Sequence, residues 1–182
     1  MNQRAILILP GWQDSGPQHW QSLWLNKYPN AVKVVQKDWQ FPKKSAWVET
    51  LNDYIEKYKT GEIILVGHSL TCATIVHWAN EYFAQTTARI KGALLVSPSD
   101  VDRPDFPEDI QGFSPLPLKP LNFPTIVVIS ENDPWVTPER ANYFARCWAA
   151  QLVNIGAFGH INAEAGFGNW PQGEKLLADL IK

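Results

Sequence analysis

The chain has 182 residues and a mass of 20.6 kDa, which suits one domain spanning 1–182 rather than two. Hydrophobic residues make up 45% and aromatics 12%, enough for a sizeable core, so a disordered or low-complexity chain is excluded. A net charge of −2 supplies no electrostatic drive toward nucleic acid or an anionic membrane, and excludes both as main partners.

Ala5–Leu9 is apolar but is broken at once by Pro10 and Gly11, too short for the core of an export signal. No stretch approaches the ~20 apolar residues of a membrane span. Cys72 and Cys147 stand far apart and share no metal-like spacing with a histidine, so no metal or cofactor is expected. They read as free thiols, small buried hydrophobes in a reducing cytoplasm.

In chain order, Ala5–Leu9 predicts a buried strand, His19–Tyr28 a helix after the Ser15-Gly16-Pro17 break, and Val32–Gln36 a second strand. Ser45–Tyr58 predicts a helix, because Trp47, Leu51, Tyr54, Ile55 and Tyr58 recur at three- and four-residue spacing. Glu62–Val66 is a third strand running into Gly67, and Leu70–Ala84 the helix behind it. Ala93–Val96, Thr125–Ser130 and Leu152–Ile155 predict three further strands. Helices follow the last two at Pro138–Trp148 and Gln172–Ile181. Between the fourth and fifth strands, Ser97–Pro124 carries seven prolines and no helical period, so an irregular excursion replaces a crossover helix.

Uniformly apolar strands alternating with helices imply an α/β fold, a parallel sheet covered on both faces. Ligands of such sheets bind beyond the carboxyl ends of the strands, near the point where strand order reverses. Chemistry is therefore expected just after Leu9, Val66, Val96, Ser130 and Ile155.

Gly67-His68-Ser69-Leu70-Thr71 lies at one of those points and nearly matches the G-x-S-x-G nucleophile elbow. A strand turning sharply into a helix presents the serine at the top of the sheet. The helix start behind it offers unpaired N–H groups to a developing negative charge. A serine needs a base, and the base an orienting carboxylate, in the chain order Ser, Asp or Glu, His. Asp133 follows the fifth strand and His160 the sixth, which completes the set Ser69, Asp133 and His160. The backbone N–H groups of Trp12 and Leu70 are the expected oxyanion donors, with Gly11 permitting close approach of the first loop.

Other candidates compete for these roles. His68 adjoins Ser69 but leaves the strand in the opposite direction, which makes it packing or hydrogen-bonded support rather than the base. His77 is a mid-helix residue. Asp100 and Asp102 follow the fourth strand and are the alternative acids; Glu131 is expected to point away, and Asp38 to form a turn. Among nine tryptophans, Trp12, Trp39, Trp135 and Trp170 fall on the expected active face. With His19, the last three of these are expected to line a narrow apolar pocket.

These residues resemble the small serine hydrolases related to retinoblastoma-binding protein 9, a compact branch of the α/β-hydrolase fold. The resemblance runs through Leu9-Pro10-Gly11-Trp12, Gly16-Pro17, His19-Trp20, Gly67-His68-Ser69-Leu70, Asp133-Pro134 with Val136, Gly159-His160-Ile161-Asn162, Gly166-Phe167-Gly168, Trp170-Pro171 and Gly173. It implies the same three functional residues and a six-stranded parallel sheet of order 2-1-3-4-5-6, with Trp12 and Ser69 on either side of the switch point. The chain departs from it at Thr71, where the family carries a small residue. Space for Thr71 is expected opposite Gly92 and Ala93.

The expected activity is hydrolysis of small carboxylic esters, with amides second. The alternative is a catalytically weak protein of the same fold that binds a protein partner or small ligand through the pocket.

Overall fold

The computed structural model describes residues 4–182. Strand β1 (Ala5–Leu9) is followed by helix α1 (Trp20–Lys27), β2 (Ala31–Lys33) and α2 (Lys44–Tyr58). Then come β3 (Glu62–His68), α3 (Leu70–Tyr82), β4 (Arg89–Val96) and β5 (Thr125–Ile129). The chain closes with α4 (Pro138–Cys147), β6 (Gln151–Asn154), a 3₁₀ turn (Ala163–Ala165) and α5 (Pro171–Ile181).

The six strands form one parallel sheet of order β2-β1-β3-β4-β5-β6, as the resemblance implied. Successive side chains of a strand point to opposite faces, and this alternation builds two cores. Leu7, Leu9, Leu65, Leu95 and Val127 face α2, α3 and α4. Ile6, Ile8, Ile64, Val66, Leu94 and Val96 face α1 and α5. The order reverses between β1 and β3, so the loops after Leu9 and His68 open on the crevice where such sheets bind ligands.

Two strands differ most from their sequence-based bounds, the others by two residues or fewer. β2 ends at Lys33, because the chain leaves the sheet edge there: Val34 N–H still donates to Ile8 O (2.9 Å), but Val35 is 53% exposed. β4 begins at Arg89, four residues early, with its first three residues partly exposed and a register shift opposite Ile63 and Ile64. The Ser97–Pro124 excursion lacks a helix, as expected, and buries Val101, Phe113, Leu116, Leu121 and Phe123 against the α2–α3 side.

Gly92 does not make room for Thr71. A Cβ there would lie 2.9 Å from both Leu180 and the Pro124 carbonyl, so this glycine seats α5 on the other face. The close approach of α3 is bought at Gly67, where a Cβ would meet Ile75 at 2.8 Å and the Cys72 nitrogen at 3.3 Å.

No described helix is long and apolar enough to cross a membrane, and the described residues contain no cluster of metal-ligating side chains.

Candidate active site

The elbow begins where β3 ends. Ser69 takes φ 60° and ψ −126°, a region that disfavours any residue with a Cβ and costs about 1–3 kcal/mol. The surroundings hold it there. Its N–H donates to Val96 O of the neighbouring strand (2.9 Å). Thr71, fully buried, accepts the His68 N–H (3.0 Å) and donates toward Leu9 O (2.7 Å), with His68 O 2.8 Å away. Thr71 therefore ties the ends of β1 and β3 together, a task no smaller apolar residue could perform. Gln21 adds a second tie, donating to Leu9 O (2.9 Å) and reaching Val66 O (3.4 Å).

Gly11 lies against this turn, and a Cβ on it would stand 3.0 Å from Ser69 Cβ. The absence of a side chain lets the β1 loop carry Trp12 to the nucleophile's flank. Neither the Trp12 nor the Leu70 N–H is taken up by a cap or loop contact among the described residues.

Ser69 Oγ lies 2.8 Å from His160 Nε2, and His160 Nδ1 lies 2.8 and 3.0 Å from the two oxygens of Asp133. A carboxylate only accepts, so Nδ1 carries the proton, Nε2 is the acceptor and the Ser69 hydroxyl donates to it. The Asp133 side chain is fully enclosed, and its Oδ1 also accepts the Trp135 N–H (2.9 Å). Ser69, His160 and Asp133 are thus brought into one hydrogen-bonded line from three separate strand exits.

The competing acids are engaged elsewhere. Asp100 makes a two-point ion pair with Arg140 (2.7 and 2.9 Å). Asp102 accepts from Ser114 and the Leu116 N–H, Glu131 accepts from Asn154 on the surface, and Asp38 caps the Gln40–Phe41 turn. His77 is buried in α3 and donates to Phe113 O (2.8 Å).

The loop carrying His160 is clamped at four successive residues. Ser130 Oγ accepts the Phe158 N–H (2.8 Å) and Asn132 the Gly159 N–H (2.7 Å). His68 Nε2 donates to His160 O (2.8 Å), and the Trp20 indole to Ile161 O (2.9 Å). Ile161 has φ 49°, so this clamp also holds an unfavourable turn. His68 is therefore a support for His160, as its position in the strand suggested.

His19, His68 and His160 form a row with ring centroids 4.8 Å apart at each step. Burial pushes His68 well below the usual histidine range, aided by repulsion from His160 and His19. His19 is lowered to about 4, chiefly by burial, with His160 repelling its charge and Asp14 opposing the shift. Both are uncharged neighbours of His160 near neutral pH.

Three of the expected pocket residues stand elsewhere. His19 is buried beneath His68, caps α1 by accepting the Gln21 N–H, and does not line the mouth. Trp39 turns onto Trp47 of α2 in an edge contact (5.6 Å). Trp170 is a core residue: a left-handed turn (φ 48°) swings it inward onto Trp20, Trp24 and Phe167, and a Cβ at Gly173 would overlap its ring. Trp135 does flank the site, 6.3 Å from His160. A cavity of about 510 Å³ opens beside it, its lining including Trp135, Phe158, His160, Asn162, Glu164 and Ala165.

The sequence reading missed Ser99. It is 3% exposed, and its Oγ lies 3.1 Å from Ser69 Oγ. Since Ser69 gives its proton to His160, Ser99 is the donor in this pair.

A parallel sheet in this order, with a strained serine turn after β3 and a histidine after β6, defines an α/β hydrolase. The family model described as serine hydrolase matches residues 6–179, and the chain belongs to that family. Its resemblance to the hydrolases related to retinoblastoma-binding protein 9 fits, since those are a related branch of the same superfamily.

Among solved structures, a protein described as a YdeN-like hydrolase of Pectobacterium atrosepticum is 34% identical. The match covers 98% of this chain and 90% of that one, at a TM-score of 0.83. The ydeN gene product of B. subtilis is 22% identical over 98% of each chain, with a TM-score of 0.76. A thermophilic esterase of Thermogutta terrifontis shares the fold at 17% identity, covering 97% of this chain and 90% of that one, with a TM-score of 0.67. No curated protein sequence matches the chain.

Proposed function

We propose that this hydrolase cleaves small carboxylic esters through an acyl-enzyme on Ser69, with amides as slower substrates. The observation that carries the reading is the unbroken line from Ser69 Oγ through His160 to Asp133, at 2.8 Å per step.

Ser69 Oγ attacks the ester carbonyl carbon while its proton passes to His160 Nε2, and the carbonyl π pair moves to oxygen. Asp133 fixes the His160 tautomer and stabilises the imidazolium that forms. The N–H groups of Trp12 and Leu70 are the donors assigned to the oxyanion. One such donor is worth roughly 3–4 kcal/mol of barrier. Collapse of the intermediate expels the alcohol, which takes the proton from His160. Water then repeats the sequence on the acyl-enzyme, releasing the acid and restoring Ser69.

The two unpaired cysteines, Cys72 buried and Cys147 half-buried, support a working place in a reducing cytoplasm. Rapid labelling by a fluorophosphonate, lost in Ser69→Ala, tests the reading. Slow or absent labelling would favour the ligand-binding alternative.

A further inference from the structure

The indoles of Trp12 and Trp135 meet edge to face, with ring centroids 6.4 Å apart and planes at 86°. One follows β1 and the other β5, and β3 and β4 lie between those strands. Strands in a sheet are roughly 4.8 Å apart, so the two loops start about 14 Å from each other. Their contact has to cross the exits of β3 and β4, the exits that carry Ser69 and Ser99. Both ends of this span are fixed. The Trp12 indole donates to Gln40 O (3.0 Å). The Trp135 N–H donates to Asp133, its carbonyl accepts the Asp100 N–H (3.0 Å), and Phe106 packs on its ring (6.1 Å).

A tetrahedral centre on Ser69 has four directions to fill. One is Ser69 Oγ itself. The oxyanion points to the N–H groups of Trp12 and Leu70. The leaving group points to His160 Nε2, which must protonate it. The acyl chain takes the remaining direction, toward buried Ser99 and under the two indoles.

We propose that the Trp12–Trp135 contact is a fixed cap on the acyl side, making the protein a hydrolase of short-acyl esters, of about two to four carbons. This rests on the ester-hydrolase reading above. The limit follows from the architecture: a chain leaving Ser69 in that direction meets two braced rings.

The test is a series of p-nitrophenyl esters from acetate to octanoate, which holds the leaving group constant so that chain length reports the acyl side alone. The native enzyme should lose at least tenfold in kcat/KM between acetate and octanoate. Trp135→Ala should raise the octanoate-to-acetate ratio at least tenfold, and Trp135→Phe should keep the native profile. Phe158→Ala, which removes a ring that packs on Phe167 rather than on the two indoles, should leave the acyl profile unchanged. A native enzyme that labels with fluorophosphonate and turns over octanoate as well as acetate overturns the proposal alone, whatever the variants do. An unchanged ratio in a labelled Trp135→Ala protein does the same. Absence of both labelling and turnover overturns the ester-hydrolase reading itself.

Discussion

The His68 imidazole ends 2.8 Å from the main-chain oxygen of His160, so the residue before Ser69 holds the residue whose ring Ser69 hydrogen-bonds to. A carbonyl only accepts, which makes His68 a permanent Nε2–H donor, and burial keeps it uncharged. Removing the donor frees the His160 carbonyl and lets the base drift from Ser69. His68→Ala should lower kcat by roughly tenfold to 10²-fold with little change in KM, since sub-ångström misplacement of a catalytic group carries costs of this order. His68→Gln, which retains a donor, should recover part of the loss. Steady-state kinetics on one ester reads both.

Asp133→Asn should cost about 10⁴ in kcat, because an amide at that position can hold His160 with the wrong nitrogen protonated. Asp100→Asn weakens the Arg140 pair, whose arginine is 37% exposed, without touching His160, and should change kcat less than about tenfold. A larger loss at Asp100 would transfer the acid's role to the fourth strand.

Thr71 bears weight through its hydroxyl. Thr71→Val keeps the shape but leaves the buried His68 N–H without a partner, a loss of about 1–3 kcal/mol in stability. Thr71→Ser should stay near native. Thr71→Gly, which brings in the smaller residue of the related hydrolases, should lower activity rather than raise it, because the tie between β1 and β3 goes with the side chain. Urea unfolding and ester turnover measure the two effects.

His19 predicts the acid limb of stability. Its native value of about 4 lies below the ordinary 6.5, so between those pH values the unfolded chain binds a proton that the folded chain does not. Stability is unaffected above pH 6.5, falls as pH drops toward 4, and the full penalty, on the order of 3 kcal/mol, is present below that. His68 adds in the same direction. His19→Asn keeps a helix-capping side chain and removes the titration, so its urea midpoint should decline less between pH 7 and pH 4.5 than the native one.

The three residues of the Ser69–His160–Asp133 line were legible in the sequence because each follows a predicted strand, and a strand exit is where this fold exposes side chains. Their supports were not. Trp20 reaches Ile161 across 141 positions and Ser99 meets Ser69 across 30, and no periodicity or motif marks such pairings. Trp170 was misplaced for a local reason: its position after β6 suggests the active face, but a positive φ turns the ring into the core. The second strand was overextended because Val34 and Val35 have strand-forming side chains, though only Val34 finds a buried seat.

The central claim is that Ser69 is a nucleophile activated by His160. Intact-mass and peptide mass spectrometry after brief exposure to a fluorophosphonate tests it most directly. The account predicts a single adduct on the peptide containing Ser69, absent in Ser69→Ala and formed orders of magnitude more slowly in His160→Ala. An adduct on another residue, or equal labelling of native and His160→Ala protein, would contradict it.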